Sequence, residues 1–573
     1  MNRRFSFPGL GLSGQLFQRW TKNWNGDLAI LLLLFIQFRL FAVFFLRPGG
    51  DVYVGEQDVL FFRRMAELSL AGYYPYLHFW MEYPPIFPWI VVGIYRLSLL
   101  LPAWPSDVVW FHVGLGILFS AFDFGNIIFI YLLAKALHGP QIGLRAAWIY
   151  VLLFFPMYVT LNWFDTMPLF FLLLTTWLAL KGHARFAGAA AGIGFMVKVI
   201  PILAVPVALQ SIRNFTGRIG YIVSCGVAVA AIAAPFVVAN PSMFFASVLS
   251  IVSRPSWESI WAFLEGFYEA GVTLPFSARF DVQTATFQVH PSTLPWPLIN
   301  GIFLLICLVL YTRRLAWFES KTQLAVLALT LNLFLLFSKG YSPQFMVYVL
   351  AFVAILLPDL RGVVYAFLLT AVCFIEYPWA FGFFRLVRSL QWLTVGIRTG
   401  LLLCLCIEYA RLLFADSSIG WAQQWLRRTE RLWLAAAPAA VLAIGLCGVL
   451  IVKHYYAEPQ DAISLASYVR ASRLTESANV SSSRAVFYRI NPLLPSSVWL
   501  VAEDENDQWP ESLEQRLDGF AQGRSHLRVI IDHNTENASL QHRLLRWLDG
   551  WGSPASHSWF GKYELIDYAS TGS

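Results

Sequence analysis

Charge is what this chain has least of. Only 13% of its 573 residues are Asp, Glu, Lys or Arg, about half the share of an ordinary soluble domain, while 58% are hydrophobic. A water-soluble globular protein is thereby excluded. Cysteine is scarce as well: Cys225, Cys307, Cys373, Cys404, Cys406 and Cys447 all lie inside apolar runs. None has metal-ligand spacing with a histidine and none sits in a soluble loop. A disulfide framework and a zinc module are both excluded, and the thiols read as small apolar fillers. The first thirty residues lack a short apolar core followed by a small-residue cleavage site, so Leu28 to Leu46 is expected to be an uncleaved first span.

What is present is a succession of apolar runs of about twenty residues, the length at which a helix crosses a bilayer with its backbone satisfied. The net charge of +7 is dispersed between these runs. It reads as cytoplasmic loop bias and excludes a nucleic-acid surface. The 23 Trp and 23 Tyr suit interfacial belts. Arg3, Arg4, Arg19 and Lys22 put the amino terminus in the cytoplasm, and the first span leads out to an external loop, residues 47–106. Within that loop Val59 to Leu70 has helical apolar spacing, with Arg63, Arg64 and Glu67 on another face. Ile86 to Leu101 is apolar but short, and both segments read as helices lying at the interface.

Further spans follow at Val108–Leu133, at Ala146–Leu161 and before Lys181, with two shorter apolar helices over Ala187–Val197 and Ile200–Leu209. Span seven ends near Ala239 and opens a second external loop, residues 240–295. Later spans end at Arg313, Lys339 and Asp359. Two more flank an external turn near Glu376 to Gln391, and the last covers Leu432 to Val452. The expected fold is an all-α polytopic membrane protein of about thirteen helices, residues 1–453. A small extracytoplasmic α/β domain, residues 454–573, would follow. There Ala485–Arg489, Val498–Ala502 and Arg528–Asp532 read as strands, and Ser512–Phe520 and Ser539–Leu548 as amphipathic helices. No catalytic motif is visible in it.

Under this topology the polar residues a membrane chain avoids collect at one face: Asp51, Glu56, Asp58, His78, Glu82, Asp165, Lys198, Arg254, Glu258, Lys339 and Gln344. An ionisable group at mid-depth costs about 2.5–3.5 kcal/mol, so such groups usually line a site or a path. A one-sided set of both signs implies a polar cavity in which cations bind a phosphate and a carboxylate serves as base. Asp51, at the exit of the first span, followed by a polar loop ending in Glu82-Tyr83-Pro84-Pro85, suits a lipid-linked sugar transferase. Arg39 and Asp123 remain inside the membrane and read as a structural pair. No clustered Asp-X-Asp occurs at the external face, which favours transfer without a metal while leaving a divalent ion open.

The chain resembles the GT-C superfamily of polyprenyl-phosphate-sugar-dependent glycosyltransferases, most of all family 87, which includes bacterial mannosyl- and arabinofuranosyltransferases. The likeness is carried by Gly50-Asp51-Val52-Tyr53, Gly72-Tyr73-Tyr74-Pro75-Tyr76 and Glu82-Tyr83-Pro84-Pro85. It extends to Gly194-Phe195-Met196-Val197-Lys198 with Pro201 and Pro206, and to Lys339-Gly340-Tyr341-Ser342-Pro343-Gln344. It spans roughly Asp27 to Pro358 and leaves the carboxy-terminal domain outside. The resemblance implies Asp51 as general base on the acceptor hydroxyl, ionised at neutral pH, and inversion of the anomeric centre. It implies Glu82 as a partner of sugar hydroxyls and Asp165 as a second acidic position. Lys198 and Lys339 would hold the donor phosphate. His78, Tyr83, Arg254, Glu258, Ser342 and Gln344 complete the expected substrate-binding set. The expected partners are a polyprenyl-phosphate sugar as co-substrate, a glycolipid, glycan or protein acceptor, and membrane lipids, with no nucleic acid and no other cofactor. A transporter or flippase of a lipid-linked sugar is the alternative; it would spread charge along a path through both faces. A non-catalytic scaffold would leave Asp51 dispensable.

Overall fold

The computed structural model describes residues 26–45, 56–102, 109–269, 276–288, 290–383, 387–414, 464–469, 478–481, 499–501, 513–532, 538–560 and 563–570. The chain divides into two compact units, Met1–Val272 with Arg279–Val441, and Thr273–Ala278 with Leu442–Ser573. The expected boundary at residue 453 and the expected last span fall outside the described residues.

The first unit is helical. Its helices are α1 (Gly26–Phe45), α2 (Glu56–Glu67), α3 (Ile86–Ser98), α4 (Val109–His138), α5 (Pro140–Leu152), α6 (Phe154–Asn162) and α7 (Thr166–Leu180). They continue with α8 (Ala184–Phe195), α9 (Ala204–Ser211), α10 (Phe215–Ala239), α11 (Pro241–Ser253) and the short α12 (Ile260–Leu264). The set ends with α13 (Trp296–Thr312), α14 (Ser320–Phe337), α15 (Met346–Leu356), α16 (Leu360–Phe374) and α17 (Arg388–Phe414), with a π-helical turn at Ile375–Phe383 before α17. Among the described residues six helices are long and apolar enough to cross a membrane, or seven if the bent pair α5–α6 is one span, and six shorter apolar helices accompany them. The chain is therefore a multi-pass membrane protein. Helices stand at each span expected within the described residues. The expected second loop differs: it opens with α11, because Asn240 caps the amides at Met243 (3.2 Å) and Pro241 occupies the first helical position, where no amide is needed.

The helices sort by what surrounds them. All eleven residues of α15 are buried, and a helix apolar on every side belongs at the centre of a bundle. In α10 Tyr221 is the buried residue, as suits a helix facing lipid. It is held to α8 through Gly188 and Gly192, where an added Cβ would collide with the carbonyls of Tyr221 and Cys225; small residues permit this backbone approach. The 56° break between α5 and α6 falls at Leu153, which is extended. Pro156, in the first turn of α6, lacks an amide that could continue the ladder backwards.

The expected pair inside the membrane is formed. Arg39 Nη2 lies 2.7 Å from Asp123 Oδ2, with both side chains buried, and the Tyr150 hydroxyl donates to Asp123 Oδ1 at 2.9 Å. Removing one partner leaves a buried charge, which costs about 3–5 kcal/mol. Asp123→Leu is therefore expected to lower the unfolding temperature in detergent sharply. The double change Arg39→Met with Asp123→Leu is expected to recover most of the loss.

The second unit carries a five-stranded sheet in the order β2-β1-β3-β5-β4, from β1 (Ala478–Ser481), β2 (Trp499–Val501), β3 (His526–Asp532), β4 (Gly552–Phe560) and β5 (Tyr563–Ser570). β1 is parallel to β2 and β3, whereas β5 runs antiparallel to β3 and β4. Helices Leu513–Ala521 and Ala538–Trp551 contribute Leu517, Leu544 and Leu548 to a core with Val480, Leu527, Val529 and Ile566. β2, β3 and both helices match expectation. β1, β4 and β5 were not foreseen: β1 is short, and β4 reads Gly-Ser-Pro-Ala-Ser-His-Ser, without apolar alternation. The strand expected at 485–489 lies outside the described residues.

Candidate functional site

α2 buries Val59, Phe62, Met65 and Ala66, a helical stripe that leaves Asp58 at its edge. Phe62 meets Phe87 edge-on (4.8 Å between centroids), Phe87 stacks on Phe164 (3.7 Å), and Tyr83 stands edge-on to Phe164 (5.2 Å). These rings form one apolar wall. Between α6 and α7 the chain is extended at Trp163, so consecutive side chains diverge. Phe164 joins the wall, while the Trp163 indole N–H donates to Asp58 Oδ2.

Asp165 stands at the N-cap of α7 but makes no capping bond, unlike most aspartates there. Its Oδ1 receives Lys198 Nζ at 2.6 Å and the Tyr348 hydroxyl at 2.7 Å. Its Oδ2 is buried with no hydrogen-bond partner. A buried carboxylate oxygen left open in this way calls for an explanation, and a substrate hydroxyl is the fitting one. Lys198 follows the end of α8, with the Phe164 and Phe345 rings 5.0 and 4.7 Å from Nζ.

Arg254, just past α11, lays its guanidinium over the Trp257 ring at 4.1 Å. The cations around it are otherwise engaged. Lys198 holds Asp165 and Arg279 holds Glu82. Lys339 donates to the carbonyls of Val252 (3.1 Å) and Arg254 (3.5 Å), and Arg398 pairs with Glu376. Among the described residues of this cluster, Arg254 is the cation whose side chain rests on a ring alone. Its charge nonetheless reaches Asp58 and Tyr83.

Burial raises the Asp58 carboxyl above the usual carboxylate range, and nearby Asp165 adds to this; the Trp163 bond and the charges of Arg254 and Lys198 pull the other way. Tyr83 is likewise pushed up, by burial first and then by Asp58 and Glu82, so it is a neutral hydrogen-bonding group at any physiological pH. Burial lowers Lys339, partly offset by Glu265.

Of the expected site residues, the structure brings together Tyr83, Asp165, Lys198 and Arg254. Glu82 is adjacent but bound to Arg279, so its carboxylate is already neutralised. Lys339 donates to the backbone carbonyls of Val252 and Arg254. His78 is exposed, its Nδ1 accepting the Tyr74 amide at 3.0 Å, away from the cluster's contacts. Glu258 is buried, and its carbonyl receives Arg398 Nη2 at 2.6 Å. Ser342 Oγ accepts from the Trp257 indole at 3.1 Å. Gln344 lies in the turn Pro343–Phe345. Asp51 lies outside the described residues. The residues with no role read from sequence are Asp58, Trp163, Trp257, Arg279 and Tyr348. Asp58 stood in the sequence only as one member of the polar set at the external face. Among the described residues no group of three His, Cys, Asp or Glu is placed to hold a metal ion.

No family model matches the chain, and no curated relative matches it by sequence. Among solved structures it is similar to ArnT from Cupriavidus metallidurans bound to undecaprenyl phosphate, at 13% identity and a TM-score of 0.41, over 95% of this chain and 98% of that one. The apo state of the same protein gives 12% identity and 0.42 over the same shares. The Archaeoglobus fulgidus oligosaccharyltransferase in complex with Zn and sulfate gives 10% and 0.30, over 91% of this chain and 71% of that one. The site is therefore read from its own geometry.

Proposed function

We propose that the chain is a GT-C-type glycosyltransferase, of the kind found in family 87. It would move a sugar, mannose or a similar residue, from a polyprenyl-phosphate donor to a hydroxyl acceptor at the external membrane face. The reading is supported first by the motifs shared with that family. The observation that supports it most strongly is one cluster holding an uncommitted Arg254, an adjacent Lys198 and a buried open oxygen on Asp165. A donor phosphate is drawn to Arg254, with Lys198 behind it. A sugar hydroxyl donates to Asp165 Oδ2. The acceptor oxygen attacks the anomeric carbon from the face opposite the phosphate, its proton passes to Asp51, and the electron pair of the broken carbon–oxygen bond leaves on the phosphate. The positions of Arg254 and Lys198 suit that developing charge, and the configuration inverts. In this reading the amino terminus is cytoplasmic and the carboxy-terminal domain lies outside a plasma membrane.

The test is transfer by purified full-length protein from a panel of polyprenyl-phosphate sugars, mannose and arabinose first, to a broad acceptor panel. Radiolabel in an acceptor product, with the opposite anomeric configuration to the donor, is expected. A folded protein that moves no sugar but carries a lipid-linked sugar across a proteoliposome membrane would replace the enzyme with a flippase.

A further inference from the structure

We infer that Trp257 is a positioning residue, its indole locked onto the Gly340–Ser342 turn so as to hold the Arg254 guanidinium toward the carboxylate cluster. The inference rests on the transferase reading and adds to it how the phosphate-facing cation is mounted. Arg254 belongs to a segment with no regular structure between α11 and α12, and a long side chain there would normally sample many rotamers. Four contacts fix the ring on which it rests. The Trp257 and Gly340 backbones pair as an isolated bridge, and the Tyr341 amide donates to the Trp257 carbonyl at 3.1 Å. The Trp257 ring lies flat on Gly340, where any Cβ would penetrate it. Its N–H donates to Ser342 Oγ at 3.1 Å. With the ring backed by Gly340 and its N–H edge held, it offers a cation–π seat, and Arg254 occupies it at 4.1 Å.

The flanks of the segment are fastened separately. Lys339 Nζ donates to the carbonyls of Val252 and Arg254, and Ser259 Oγ donates to the Lys339 carbonyl at 2.8 Å. Arg398 holds the Glu258 carbonyl at 2.6 Å while its guanidinium sits 3.6 Å from the Tyr341 ring centre. Glu258 itself has a left-handed backbone, φ +46°, which a non-glycine residue keeps only where its surroundings over-determine it. The Lys339-Gly340-Tyr341-Ser342 motif thus acts through the loop it grips, as a mount for Arg254.

The test is a double-mutant cycle in the full-length protein, read as donor kcat and KM per folded molecule. Trp257→Ala is expected to lower kcat/KM about tenfold, less than the roughly hundredfold a 1 Å misplacement can cost, mostly through donor KM. In an Arg254→Gln background the same change is expected to have less than about a twofold further effect, because the group it positions is gone. Trp257→Phe keeps the ring and should restore most of the activity. Ser342→Ala, which deletes one hydrogen bond and leaves the fold, should give a smaller loss, again confined to the Arg254 background. Losses that multiply in the double mutant overturn the inference and leave the transferase standing. If wild type transfers nothing, the cycle is read on binding of a short-chain prenyl phosphate, where non-additive losses support the mount and additive ones refute it. A wild type that neither transfers nor binds refutes both.

Discussion

Asp51→Asn is expected to cut transfer by about 10²–10⁴-fold, the range in which a general base contributes, while donor KM changes little. The reason is division of labour. In the proposed reaction the donor's phosphate is held by cations, so removing a carboxylate charge does not weaken that hold. The nearby groups named next are already engaged or protonated. Glu82 is neutralised by Arg279, Asp165 shares its Oδ1 between Lys198 and Tyr348, and the Tyr83 phenol stays protonated. Steady-state kinetics of the purified variant, with folding checked by thermal unfolding, decides the matter. A variant as active as wild type would move the base to Asp58, whose carboxylate shows one hydrogen bond, from Trp163 to Oδ2. Asp58→Asn alone would then cut transfer by that factor.

Arg254→Gln is expected to lower kcat/KM for the donor by about 10²–10³-fold, comparable to removing a preorganised donor aimed at developing negative charge. Every other cation of the cluster is held by a carboxylate or carbonyl, so none can take over without breaking its own contact first. Arg254→Lys should recover part of the loss, because the charge returns but the planar guanidinium that fits the Trp257 face does not. Competition by sugar-free prenyl phosphate should weaken in parallel with turnover. An Arg254→Gln enzyme with wild-type affinity for that competitor would place the phosphate elsewhere, with Lys198 the next residue to test.

Much of this arrangement was legible in the sequence, and what was hidden had physical reasons. The spans were readable because each is a long apolar run, and Arg39 with Asp123 because charges inside such runs are rare. Asp165 and Lys198 stood out on the same ground. Partner choice was not readable. Nothing in a linear sequence says that Arg279 neutralises Glu82 from 197 residues away, or that Lys339 turns back to the end of α11. Trp257 was one of 23 tryptophans in a chain where interfacial tryptophan is ordinary. Its role appears only when Gly340 is seen beneath its ring. α11 was missed because a short apolar helix between polar flanks reads equally well as a loop.

The Arg39–Asp123 pair also imposes an order of events on biosynthesis. The two residues are 84 positions apart, so at 5–20 residues per second the ribosome makes Arg39 roughly 4–17 seconds before its counter-charge exists. During that interval α1 carries a bare guanidinium that the lipid interior disfavours. The first helix is therefore expected to linger beside the insertion machinery until α4 emerges. Site-specific crosslinking of stalled nascent chains would show it as contacts from α1 that persist at short lengths and vanish once Asp123 has cleared the ribosomal tunnel.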